Sequence, residues 1–197
     1  MSTGHGMIFT DSAEKQLRGI EKCLSDKSIN AVALYGRPGT GKTSYAKYLA
    51  KSYAQLQHHH DCAIQGVNNK IMEQMKNSVG NALPIYGDEK PFTHCHVLDE
   101  FHNLNFRDQG RYKMLIEDNA EKAMFVICLN VSSAKSYTRS VEAAIRSRVE
   151  SVSFDIPETD RNEHATRLHK RFPMLSVDDI ARWLPDIRKI KRKSAMV

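Results

Sequence analysis

The sequence predicts an α/β protein whose parallel sheet is sandwiched by helices, and three observations carry the prediction. Apolar runs of strand length alternate with segments of helical periodicity over most of residues 11–156, as in βα units, where each parallel strand needs a crossover. The first apolar run, AVAL at 31–34, leads directly into YGRPGTGKT at 35–43, which fits G-x-x-x-x-G-K-[ST] and opens a helix. Two later runs end in polar residues, one in Asp99 and Glu100, the next in Asn130. Ligands gather at the carboxyl ends of parallel strands, so these residues and the glycine loop should share one rim.

Length and composition bound the rest. A chain of 197 residues with 41% hydrophobic and 26% charged residues is large enough for one α/β core and a small appendage. No apolar run approaches the ~20 residues that cross a bilayer, and the N-terminal stretch lacks a signal-peptide core. A cytoplasmic protein without a membrane partner is expected. Cys23, Cys62, Cys95 and Cys128 are far apart, which predicts free thiols rather than a disulfide or a cysteine metal site. A net charge of +6 permits a polyanionic partner without requiring one. The triplet His58, His59, His60 reads as a solvated connector rather than a metal site.

In order, residues 11–24 begin with a capping signal and place Ala13, Leu17, Ile20 and Leu24 at helical spacing. Strand 31–34 and the glycine loop precede a helix over 44–54. A second strand is expected at 62–67, a helix at 70–79 and a Pro- and Gly-punctuated loop at 81–93. A strand at 94–98, a helix at 108–119, a strand at 124–129, a short helix at 142–148 and a fifth strand at 150–156 follow. Past Pro157 strands give way to helical patterns at 158–171, 177–183 and 185–192, too short to fold alone and expected to form a lid. The expected division is a nucleotide-binding α/β domain over 1–156 and a helical lid over 157–197. The run RKIKRK at 188–193 reads as a solvated helix end.

The chemistry follows from residue types. A phosphate chain needs backbone N–H groups turned inward with no side chains in the way, and a helix N-terminus adds donors. Gly36, Arg37, Pro38, Gly39, Thr40, Gly41, Lys42, Thr43 and Ser44 are therefore the expected nucleotide contacts. Lys42 would meet the β/γ oxygens and the Thr43 hydroxyl would meet Mg²⁺. Asp99 is the expected second metal residue, Glu100 the residue that orients or activates water, and Asn130 a partner of that water or of the γ-phosphate. Arg188 and Arg148 are candidates to supply positive charge during transfer. Arg148 stands just before the fifth strand, so it is expected to act on a neighbouring subunit.

With those residues in place the chain resembles an AAA+ ATPase, and within that family the ATPase subunits of sliding-clamp loaders, particularly small bacteriophage-type ones. LYGRPGTGKTSYAKYLA is similar to the phosphate-loop segment and LDEFH to the Asp-Glu box. QGRYKMLIEDNAEKAMFVICLN resembles the helix, acidic turn and sensor strand, IRSRVESVSFDIP the Ser-Arg-Cys box and fifth strand, and LPDIRKI the second-sensor helix. The resemblance implies ATP and Mg²⁺ as cofactors, Asn130 as first sensor, Arg188 as second, and Arg148 as a finger reaching into the adjacent site. It implies that Gln109 couples DNA contact to catalysis. The implied partners are a sliding clamp, primer–template DNA and other subunits of a ring, and the implied work is ATP-gated clamp placement during replication.

The sequence departs from that pattern in three places. Val149 replaces a cysteine, Arg37 replaces a proline or small residue, and the sequence stops after the lid without a helical collar, which leaves open a fragment or a different assembly. A helicase loader or replication initiator of the same superfamily is the alternative. A viral superfamily 3 helicase and a non-hydrolysing scaffold subunit fit less well, the former because of LPDIRK and the latter because Lys42, Asp99 and Glu100 are intact.

Overall fold

A computed structural model describes residues 7–65, 72–73, 75–77, 87 and 89–196. The first helix, α1 (Asp11–Ser25), starts where Thr10 Oγ1 accepts from the Ala13 amide, satisfying a donor the helix itself leaves free. Its Ala13, Leu17, Ile20 and Leu24 are buried as their spacing predicts. Then come β1 (Ala31–Tyr35), α2 (Lys42–Tyr53), β2 (Ala54–Asp61), α3 (Cys62–Gln65) and β3 (Phe92–Asp99). After a 3₁₀ turn at Phe101–Asn103 follow α4 (Phe106–Asp118), β4 (Ala123–Leu129), α5 (Ala134–Ser140), α6 (Ala143–Arg146) and β5 (Glu150–Ser153). Another 3₁₀ turn, Glu158–Asp160, leads to α7 (Arg161–His169), α8 (Val177–Trp183) and α9 (Ile187–Ser194).

The five strands form one parallel sheet in the order β2-β3-β4-β1-β5. All seven residues of β4 are buried, because a central strand of a doubly covered sheet has no wet face. Val32, Leu34, Met124, Val126 and Cys128 meet α1 and α2 on one side. Ala31, Ala33, Phe125, Ile127 and Leu129 meet Tyr112, Leu115 and Ile116 of α4 on the other. The helices past Pro157 gather around Ala165, Leu168, Leu175, Ile180, Leu184 and Ile190, and Ile8 and Ile156 pack against that cluster. This layout is a five-stranded P-loop NTPase (AAA+) sheet flanked by helices.

Several expectations fail locally. The second strand is Ala54–Asp61, not 62–67; Cys62–Gln65 is helical, and 66–67 lie outside the described residues. The histidine triplet is therefore part of an edge strand rather than a connector, with His58 and His60 half-buried and His59 exposed. Of the helix expected at 70–79, residues 72–73 and 75–77 are described and helical; most of the loop expected at 81–93 lies outside the described residues. Its last two residues already belong to β3, which starts at Phe92. Helix α5 was not expected at all. Ser133 caps it by accepting from the Ser136 amide, a short local bond that a seven-residue polar segment hardly advertises.

Candidate active site

The loop between β1 and α2 turns on three positive-φ glycines, Gly36, Gly39 and Gly41. Two are also closely approached by neighbouring atoms. A Cβ on Gly36 would lie 3.1 Å from the Phe154 and Asp155 backbone, and one on Gly39 would lie 2.4 Å from Asp186 Oδ1. Inside the loop Lys42 is buried, and its Nζ donates to the carbonyls of Gly36 at 2.7 Å and Arg37 at 2.8 Å. Burial pulls the Lys42 pKa below that of an ordinary lysine, against the opposing pull of Asp155, Asp99 and Glu100.

The strand ends bring the acids to this loop. The Thr43 hydroxyl donates to Asp99 Oδ2 at 2.9 Å, so two hard oxygen donors at the start of α2 and the end of β3 face each other, a set suited to Mg²⁺. Glu100 follows in the left-handed conformation, φ 55°, which costs on the order of 1 kcal/mol in a non-glycine residue. That backbone turns its carboxylate toward β4, where the Asn130 side-chain amide donates to Glu100 Oε1 at 2.5 Å. On the other side His102 Nε2 lies 3.5 Å from Glu100 Oε2, while its Nδ1 accepts from the Asn130 amide at 3.3 Å. Glu100 is thus held between two residues.

A cleft of about 550 Å³ opens over these groups. Gly39, Thr40, Gly41, Lys42, Thr43 and Ser44 line it with Asp99, Glu100, Asn130 and Arg188. Gly36, Arg37 and Pro38 are not among its lining residues. The Arg37 amide instead donates to Asp155 Oδ1 at 2.8 Å, with its guanidinium 3.7 Å from the same oxygen. Six cations, Lys42, Lys47, Lys51, Arg171, Arg188 and Lys191, face two carboxylates in the cleft, an excess suited to a polyphosphate. Arg188 has no ion-pair partner among the described residues, although its neighbours Lys189 and Arg192 are exposed as a solvated helix end should be. Met7, Ile8, Phe9, Leu168, Phe172 and Ile187 supply an apolar wall.

Arg148 lies elsewhere. Its Nε donates to Glu117 Oε1 at 2.5 Å, and its Nη1 to the Ala144 carbonyl and Ser147 hydroxyl at 2.7 and 2.8 Å. Gln109 is fully buried. It donates to the carbonyls of Leu104 and Ser140 and accepts from the Glu142 amide, all within 2.9 Å, so it ties the segment after Glu100 to the α5–α6 junction. Sequence reasoning missed His102, although it sits inside LDEFH. It also missed Lys47, Tyr48 and Lys51, which extend the cleft wall from Ser44 at helical spacing.

Sheet order, glycine loop and strand-end acids together define the fold as that of a P-loop NTPase of the AAA+ type. The chain belongs to the NB-ARC domain family, whose model matches residues 13–171. Among curated proteins it is 25% identical over 179 residues to human ATPase family AAA domain-containing protein 3B, covering 83% of this chain and 26% of that protein. Among solved structures it resembles the replication initiator DnaA bound to AMPPCP and single-stranded DNA, with TM-score 0.64 and 15% identity over 96% of this chain and 62% of that one. It also resembles the RuvB Holliday junction branch migration motor of Thermotoga maritima, with TM-score 0.57 and 17% identity over 88% of this chain and 54% of that one. The chain thus spans about a quarter of the curated relative's length. The structural matches speak for the fold. No helix among the described residues is long and apolar enough to cross a membrane.

Proposed function

We propose that the chain is a Mg²⁺-dependent ATPase that works as one subunit of a ring on DNA, and that its work is placing a sliding clamp on primer–template DNA. One observation carries the ATPase reading: a cation-rich cleft in which the phosphate loop, the Thr43–Asp99 pair and the Asn130-held Glu100 meet. In this reading loop amides and Lys42 bind the phosphates, Arg188 and Lys191 cover them from the lid, and the apolar wall takes the base. Thr43 and Asp99 hold Mg²⁺, which when bound neutralises charge on the phosphate oxygens. Glu100 takes the proton of the attacking water, and Asn130 and His102 fix the carboxylate that does so. Arg148 acts on the site of an adjacent subunit.

The clamp-loading part rests on the resemblance of IRSRVESVSFDIP and LPDIRKI to clamp-loader segments. The domain division at 156/157 belongs to the same proposal, with the lid closing over nucleotide. A cytoplasmic location fits this work. The likeness to the DnaA initiator favours a second reading, a helicase loader or initiator. Steady-state ATP hydrolysis with primed DNA and a clamp from the same genome tests both. Stimulation by DNA plus clamp supports the loader; hydrolysis that ignores the clamp and answers to a helicase supports the second reading; no hydrolysis under any condition overturns both.

A further inference from the structure

The pairing of β2 with β3 places four histidines together, away from the nucleotide cleft. Leu56 pairs with His94, His58 with His96 and His60 with Leu98, so His58 and His60 share one sheet face with His94 and His96. His94 and His96 are each 1% exposed. His58 Nε2 lies 3.0 Å from His94 Nδ1, and His60 Nε2 lies 3.2 Å from His96 Nδ1. The His58 and His96 rings stack with centroids 4.7 Å apart. The Nε2 atoms of both buried histidines have no hydrogen-bond partner, so the polar contacts of each ring run through its Nδ1 toward β2.

We propose that His58, His94 and His96 form a site for a late first-row divalent cation, Zn²⁺ or a close relative such as Co²⁺ or Ni²⁺, with His60 beside it. One nitrogen from each of the three lies within 4.8 Å of the others. Two ligands at tetrahedral Zn–N bond lengths stand about 3.3 Å apart, close to the 3.0 Å between His58 and His94. The donor set is imidazole alone, which suits Zn²⁺, Cu²⁺ and Ni²⁺ and not Mg²⁺, whose preference is for oxygen. The site is thereby chemically distinct from the Thr43–Asp99 pair. An ion here would cross-link an edge strand, the least secured strand of an open sheet, to the strand that ends in Asp99.

The test uses the full chain without an affinity tag, stripped with chelator and titrated with Co²⁺ while visible ligand-field absorption and Tm are followed. The expected result is saturation near one equivalent, a rise in Tm and displacement by Zn²⁺. His58→Gln should weaken binding at least tenfold, while His59→Gln, on the exposed face, should leave it unchanged; circular dichroism checks that both variants fold. Absence of ligand-field bands and of a Tm shift in the wild type overturns the proposal, whatever the variants do. Equal weakening by His58→Gln and His59→Gln overturns it as well.

Discussion

The cleft and the shoulder around α6 both display arginines, and they use them differently. Arg188 faces the phosphate loop across open space, whereas Arg148 is bound to Glu117, Ala144 and Ser147 and lies apart from its own cleft. The cleft gathers six cations, the Thr43–Asp99 pair and a carboxylate held by Asn130. The shoulder holds a cation whose partners among the described residues, Glu117, Ala144 and Ser147, do not line the cleft. Such a division suits a molecule whose binding step is internal and whose transfer step depends on a neighbour.

The largest effect should come from breaking the shoulder. Arg148→Ala should lower kcat about a thousandfold, the scale of a lost arginine finger, with nucleotide affinity nearly unchanged; single-turnover kinetics beside a binding titration separates the two. Glu100→Gln should lower kcat about a hundredfold while leaving nucleotide bound, since it removes the base and keeps the loop. Mixing the two variants sharpens the comparison further. If Arg148 serves a neighbour, an equal mixture regains about a quarter of the sites, because a finger and a base can then come from different subunits. A mixture as dead as its components would place Arg148 in its own site.

Two smaller effects probe the helices past Pro157 and the loop they touch. Burial, reinforced by Arg167, pushes His164 in α7 down to about 4 from an ordinary 6.5. Above pH 6.5 both folded and unfolded chains carry it neutral; as pH falls toward 4 the unfolded chain takes up the proton first. Stability is therefore lost across that window, by on the order of 3 kcal/mol. His164→Leu should flatten the dependence of Tm on pH there relative to wild type. Gly39→Ala should cost about 1–2 kcal/mol, because the residue sits at φ 83° against Asp186; chemical denaturation measures it.

Much of this was legible in the sequence because the central strands speak plainly. AVAL and MFVICL are continuous apolar runs, and only strands covered on both faces need them. Alternation with helices then fixes the rim on which Lys42, Thr43, Asp99, Glu100 and Asn130 meet. Strand β2 was illegible for the opposite reason: AQLQHHHD has weak strand propensity, and three identical side chains carry no alternation by which to tell an inward His58 from an outward His59. The apolar wall was hidden as well. Met7, Ile8 and Phe9 precede the first helix and belong to no periodic segment, so nothing local marks them as facing Leu168 and Phe172. Arg37 shows a different limit, since nothing near it in the sequence announces that its amide donates to the distant Asp155.

The contact between loop and lid has a mechanical side. The Ile187 amide donates to the Gly39 carbonyl at 3.0 Å, which makes the glycine loop the fulcrum of α9. A helix of eight residues is about 12 Å long, so a tilt of about 10° at that fulcrum swings its far end by about 2 Å. That end carries the exposed Arg192 and Lys193. A tilt of that size at the loop would carry the charge of Arg192 and Lys193 the same distance across the surface.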